Sequence, residues 1–115
     1  MTTTGCVRLA LIAAGVLVFA APVMADETGM AAMHEQRRER GRICFVDHYH
    51  YGSSAGQPSK RAAVVMAVKS WAGFTDFEYG SLWAHWGRAA SKKVKCGQTG
   101  IGGPWSCDIS ARPCR

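Results

Sequence analysis

The chain has 115 residues, with 14 Lys and Arg against 8 Asp and Glu, and its formal net charge is +6. That length excludes a multidomain enzyme and leaves room for one small domain with a modest core. Five cysteines in so short a chain point away from the reducing cytosol and toward a disulfide framework.

The first 25 residues read as a secretory signal peptide. Arg8 supplies the cationic start, LALIAAGVLVFAAPVMA runs uncharged to Ala25, and Val23-Met24-Ala25 gives a small-residue exit before Asp26 and Glu27. The run of about 17 apolar residues falls short of the ~20 that span a bilayer, and Pro22 favours cleavage over anchoring. The expected product is an exported protein, periplasmic or secreted, with no membrane segment once the signal is removed.

Residues 26–42, DETGMAAMHEQRRERGR, are charged and lack an apolar stripe, so they read as a flexible leader. Its arginines, Arg37, Arg38, Arg40 and Arg42, offer cations to an anionic partner or simply to solvent. Ile43–Tyr51 is rich in β-branched and aromatic residues and predicts a strand, closed by a Gly-Ser-Ser-Ala-Gly loop. Alternation places Cys44, Val46, His48 and His50 on one face of it, with Ile43, Phe45, Asp47, Tyr49 and Tyr51 on the other.

After Pro58 and Ser59 the period becomes helical. Val64, Ala67, Val68, Trp71 and Phe74 define an apolar stripe, and Gly80 is expected to break the helix. A second helical piece carries Leu82, Trp83, Trp86 and Ala90. Lys92–Cys96 and Trp105–Ala111 then read as two further strands joined by the glycine-rich GQTGIGGP.

These elements predict an α+β domain over residues 43–115. It is a small three-stranded antiparallel sheet in the order β-α-α-β-β, with a helical layer on one face and two disulfides. Removal of Cys6 with the signal leaves Cys44, Cys96, Cys107 and Cys114, which allow three pairings. A hairpin brings Cys96 opposite Cys107. Cys44 then falls to Cys114 if the first strand lies antiparallel beside the third.

Trp71, Tyr79-Gly80, Trp83, Trp86 and Ala90, followed by Val94-x-Cys96, Trp105-x-Cys107 and Ala111-x-Pro113-Cys114, resemble a pattern of small exported bacterial proteins of unknown function. The likeness covers about residues 60–114. It implies a disulfide-bonded domain and brings no catalytic residues with it.

Three kinds of chemistry are legible. His48 and His50, two apart on one strand face, are suited to ligating zinc or copper, with His85 as the expected third ligand. Tyr49, Tyr51 and Trp105 beside Lys92, Lys93, Lys95 and Arg112 offer a sheet face for an anionic envelope polymer or a glycan. Ser53 or Ser54 with His48 and Asp47 has the letters of a hydrolase triad, but adjacent strand residues face opposite ways and no nucleophile elbow is present. Export argues against nucleic acid as a partner. The expectation is a non-enzymatic binding module without a resident cofactor, its main rival a metal-binding protein and a small hydrolase third.

Overall fold

The computed structural model describes residues 27–115, so the signal-peptide reading of residues 1–25 lies outside the described residues. The first described element is a 3-10 turn, Met30–Met33. It leads into a hairpin of strands β1 (Gln36–Glu39) and β2 (Arg42–Phe45). Arg40 and Gly41, the two residues between them, both have positive φ, 48° and 79°. That is the backbone a two-residue hairpin turn needs to match the strand twist.

The expected leader is therefore structured over its described length. It has no apolar stripe because its anchors are backbone hydrogen bonds and a few side chains. On one edge β2 pairs with β1, Gln36 opposite Phe45 and Glu39 opposite Arg42. On its other edge the Ile43 and Arg115 N–H groups donate to each other's carbonyls at 2.9 and 2.8 Å, and Phe45 N–H donates to Pro113 O.

The single strand expected over 43–51 is two. Residues 46–49 interrupt it, and β3 runs from His50 to Gln57 through the stretch read as a loop. The cause is steric. Gly52 passes so close to the helix that a Cβ there would run into the backbone of Ala67 and Trp71, and only glycine permits that approach. Ser54 adds to it: its hydroxyl donates to Ala63 O at 2.6 Å and accepts from Cys107 N–H at 3.2 Å, tying three elements together.

Helix α1 (Lys60–Tyr79) begins at Ser59, whose Oγ accepts from Ala62 N–H at 3.0 Å, and ends at Gly80 with φ 99°. Its buried face is Ala63, Ala67, Trp71, Thr75 and Tyr79, which shares Ala67 and Trp71 with the expected stripe and departs from it at the other positions. Val64 and Val68 flank that face half-buried, and Phe74 is largely exposed. Small residues take the central line because the sheet comes so near at Gly52. The second helical piece is two 3-10 turns, Ser81–Trp83 and Trp86–Arg88, with Trp83 buried and Leu82 exposed.

Strands β4 (Ala90–Gln98) and β5 (Trp105–Arg112) complete an antiparallel sheet ordered β3-β5-β4. The fold is the α+β arrangement with a three-stranded sheet and a helix on one face. Trp71, Ala63 and Ala67 of α1 pack on Cys107, Ile109 and Ala111 of β5. Cys96 and Cys107 face each other across the hairpin and are bonded; Cys44 is bonded to Cys114 beyond the end of β5. The two cross-links place the domain's folding in an oxidising environment. Among the described residues no helix is long and apolar enough to cross a membrane.

Candidate metal centre

The last two turns of α1 meet the 3-10 turn, the 46–49 break and the start of β3 in an aromatic cluster. Phe45 stacks on Trp83 with centroids 4.3 Å apart and packs edge-on against Tyr79. Three imidazoles lie against this cluster. His34 and His48 are 4.1 Å apart at their ring centroids, His48 and His50 are 5.2 Å apart, and Phe74 covers His50 at 4.8 Å.

His50 is 2% exposed, and we assign its tautomer from its hydrogen-bond partners. Thr75 spends its hydroxyl hydrogen on Trp71 O at 2.7 Å, the preceding turn of its own helix. The Thr75 oxygen can then only accept, so His50 Nδ1, 3.0 Å away, carries the hydrogen and donates. In the neutral ring this leaves the lone pair on Nε2. That atom is buried and has no hydrogen-bond partner, yet Glu78 Oε2 stands 3.0 Å from it.

A lone pair facing a carboxylate is repulsive unless a cation lies between them. A proton would supply one charge, but burial pushes the His50 pKa down, opposed by Glu78 and reinforced by His48. The ion-pair description needs an imidazolium that this desolvated site disfavours. It also needs a hydrogen-bond alignment that the two atoms lack. We therefore take His50 as neutral, its Nε2 lone pair 3.0 Å from the Glu78 carboxylate.

His48 completes the arrangement. One donor atom each from His48, His50 and Glu78 lies within 4.8 Å of the others. Donors sharing a tetrahedral zinc at ~2.0–2.1 Å are about 3.3 Å apart, so only a small closure separates the cluster from ligating distances. Burial also lowers the His48 pKa, helped by the neighbouring His34, so this ring too favours the neutral, ligating form. The Tyr79 hydroxyl is 2.8 Å from His48 Nε2, 2.9 Å from His34 Nε2 and 3.2 Å from Glu78 Oε1. When its single hydrogen goes to Glu78, both rings donate Nε2–H to the phenol oxygen, which leaves the neutral His48 lone pair on Nδ1. Desolvation raises the Tyr79 pKa, so the phenol stays protonated in that orienting role.

The helix end adds an electrostatic reason. Glu78 is the penultimate residue of α1, and the last turn holds no basic residue. A carboxylate at the negative end of a helix dipole is unfavourable by itself, and a cation bound there offsets both charges. A cavity of about 270 Å³ lined by His34, Glu35, Asp47 and His48 adjoins the cluster at His48.

The sequence-predicted residues sort clearly. His48 and His50 come together, though on a chain break and a strand start rather than one strand face. His85 does not join them: it is exposed at the start of the second 3-10 turn, and Glu78 takes its place. His34, Glu78 and Tyr79 were missed. For Glu78 and Tyr79 the sequence signal was Glu-Tyr-Gly closing a helix whose buried line recurs every fourth residue from Ala63; His34 had none.

Of the sheet face, Tyr51, Lys93 and Lys95 line a shallow trough of about 240 Å³ with Asp108 and Ser110. Arg112 is 7% exposed and ion-paired to Glu39, so it is withdrawn from that face. Trp105 is half-buried against the core, Tyr49 lies in the 46–49 break and Lys92 leans on Trp86. Ser54 is occupied by backbone groups, and Ser53 faces Ser70 through its N–H rather than a histidine.

Fold and cluster together define a disulfide-braced α+β domain with a histidine–carboxylate centre at one end of its helix. No protein-family model, curated protein or solved structure matches the chain.

Proposed function

We propose that this is an exported domain that binds a divalent transition metal, zinc or copper, through His48, His50 and Glu78. The observation that carries the reading is the buried Nε2 of His50, without a hydrogen-bond partner and 3.0 Å from a carboxylate oxygen. An orphaned buried acceptor costs about 1–3 kcal/mol, and a cation at that point removes the cost. Two imidazoles and a carboxylate suit borderline metals better than calcium or magnesium, which prefer all-oxygen shells. Tyr79 and His34 would orient the ligands from behind.

Thermal unfolding and calorimetric titration of the purified protein with zinc and with copper test this. A ligand at a hundredfold its dissociation constant stabilises by about 2.7 kcal/mol, a readable rise in melting temperature. His50→Ala and Glu78→Gln should abolish the rise, and His85→Ala should keep it. A wild-type protein that melts identically with and without both metals would end the proposal.

A second reading keeps the sheet face. The trough between Tyr51, Lys93 and Lys95 favours weak binding of an anionic glycan, which predicts retention on such a matrix at low salt and release on raising it. Lys93→Ala with Lys95→Ala should remove that retention without touching the metal response.

A further inference from the structure

The β1–β2 hairpin walls a second cavity, of about 500 Å³, that shares no residue with the histidine cluster. Its lining is Glu39, Arg40, Arg42, Ala90, Ser91 and Arg112, three guanidinium groups against one carboxylate.

That carboxylate is already neutralised. Glu39 takes the Arg37 guanidinium at 2.7 and 2.9 Å and the Arg112 guanidinium at 2.9 and 3.1 Å. Arg112 is itself fully committed: besides Glu39, it donates to Phe45 O at 2.6 Å and to Ser91 Oγ at 3.1 Å. It is a buried pillar. The surplus charge belongs to Arg40 and Arg42, whose side chains make no ion pair or hydrogen bond among the described residues, and Arg42 Nε is buried without a partner. Ser91 accepts from Arg112 and so has its own O–H left to donate.

The backbone marks the same place. Among the described residues, Arg40 and Ser91 are the two non-glycine residues with positive φ, 48° and 51°, and both line this cavity. Ser91 sits where the β4–β5 register shifts between Ala90 and Lys93.

We infer that this cavity is a binding site for a phosphate-type oxyanion. Arg40 and Arg42 supply the guanidinium donors from the hairpin, and Ser91 supplies its hydroxyl from β4. Donors arriving from two elements suit a tetrahedral anion with acceptor oxygens on several sides, whereas a flat carboxylate is satisfied by one arginine fork. The cavity is much larger than the ion, so the anion fits as an ester on a bigger molecule, such as a phosphorylated envelope polymer, as well as in free form.

The test is an NMR titration of the purified protein at low ionic strength, with inorganic phosphate in one arm and glycerol 3-phosphate in the other. Saturable shifts at Arg40, Arg42 and Ser91 are expected in at least one arm. Tighter binding of the ester identifies an esterified ligand, and equal binding identifies the free ion. Arg42→Gln should weaken binding at least tenfold, and His50→Ala should leave it unchanged. Arg40→Asn, which tolerates the left-handed turn, should weaken binding several-fold and carries the test if Arg42→Gln fails to fold. Shifts that never saturate and scatter over Lys92, Lys93 and Lys95, or variants that bind as the parent does, would overturn the inference.

Discussion

The two ends of helix α1 are packed by opposite rules. Its N-terminal two-thirds lie on the sheet through Ala63, Ala67 and Trp71 against Cys107, Ile109 and Ala111, an apolar contact drawn tight at Gly52. Its C-terminal end buries Thr75 and Tyr79 among Phe45, Trp83 and three imidazoles, and one imidazole nitrogen there has no hydrogen-bond partner. An apolar interface needs only shape to be stable. A polar cluster that leaves an acceptor unmatched gives up stability, and such places are where ligands are held.

The largest test of this contrast is removal of the disulfides one at a time. Cys44–Cys114 closes 70 residues and Cys96–Cys107 closes 11. Chain entropy assigns them about 4 and about 3 kcal/mol respectively. Replacing Cys44 and Cys114 by alanine should therefore cost more in denaturant unfolding and should also loosen β2 and the histidine end, weakening the zinc response. Replacing Cys96 and Cys107 should lower stability while the response survives.

Next is Gly52→Ala, expected to cost about 2–3 kcal/mol through overpacking against the α1 backbone. A cost near zero would mean that the helix and sheet are not in close contact at that point. Smaller again is His50→Leu in metal-free protein. It removes the unmatched acceptor along with the bond to Thr75, so stability should move by less than about 1.5 kcal/mol while the zinc-induced rise disappears. A loss as large as that of a core truncation would recast His50 as ordinary core.

The smallest effect concerns the hairpin. Hydrogen bonds from Arg37 and then Arg112 hold the Glu39 carboxyl below its usual value of 4.5. A carboxyl depressed in the folded state stabilises fully above its unfolded value and loses that contribution as pH falls through the folded one. Glu39→Gln should thus be slightly less stable than the parent at neutral pH, and the two unfolding curves should converge in acid.

The legible parts were those written in local pattern. Ser59 capping a helix that stops at Gly80, and Lys92–Cys96 and Trp105–Ala111 as a hairpin, are short-range statements, and the structure contains each of them. The antiparallel neighbour of β5 was expected to be the segment 43–51; in the structure only its end, His50 and Tyr51, pairs there, and β3 continues that pairing through the residues read as a loop. The candidate metal centre was half legible: His48 and His50 stand out in the sequence as a pair, but the third residue of the cluster is Glu78 rather than the expected His85. Glu78 carries no local signal, since nothing in the sequence tells which way that end of the helix points. The ordered arginine hairpin was illegible for the same reason, its edge partners, residues 113–115, lying some seventy residues away.

By itself, then, the sequence determined the helix, its caps, the strand-forming segments and the four cysteines from Cys44 to Cys114 that pair. Each depends on dihedral preference, side-chain period or redox chemistry that acts over a few residues. Tertiary structure alone decided that His34, His48, His50, Glu78 and Tyr79 share one end of α1, and that Arg40, Arg42 and Ser91 share one cavity. Those groupings depend on where distant backbones meet, and the meeting points are set by Gly52, the Cys44–Cys114 bridge and the pairing of β2 with the chain's last residues.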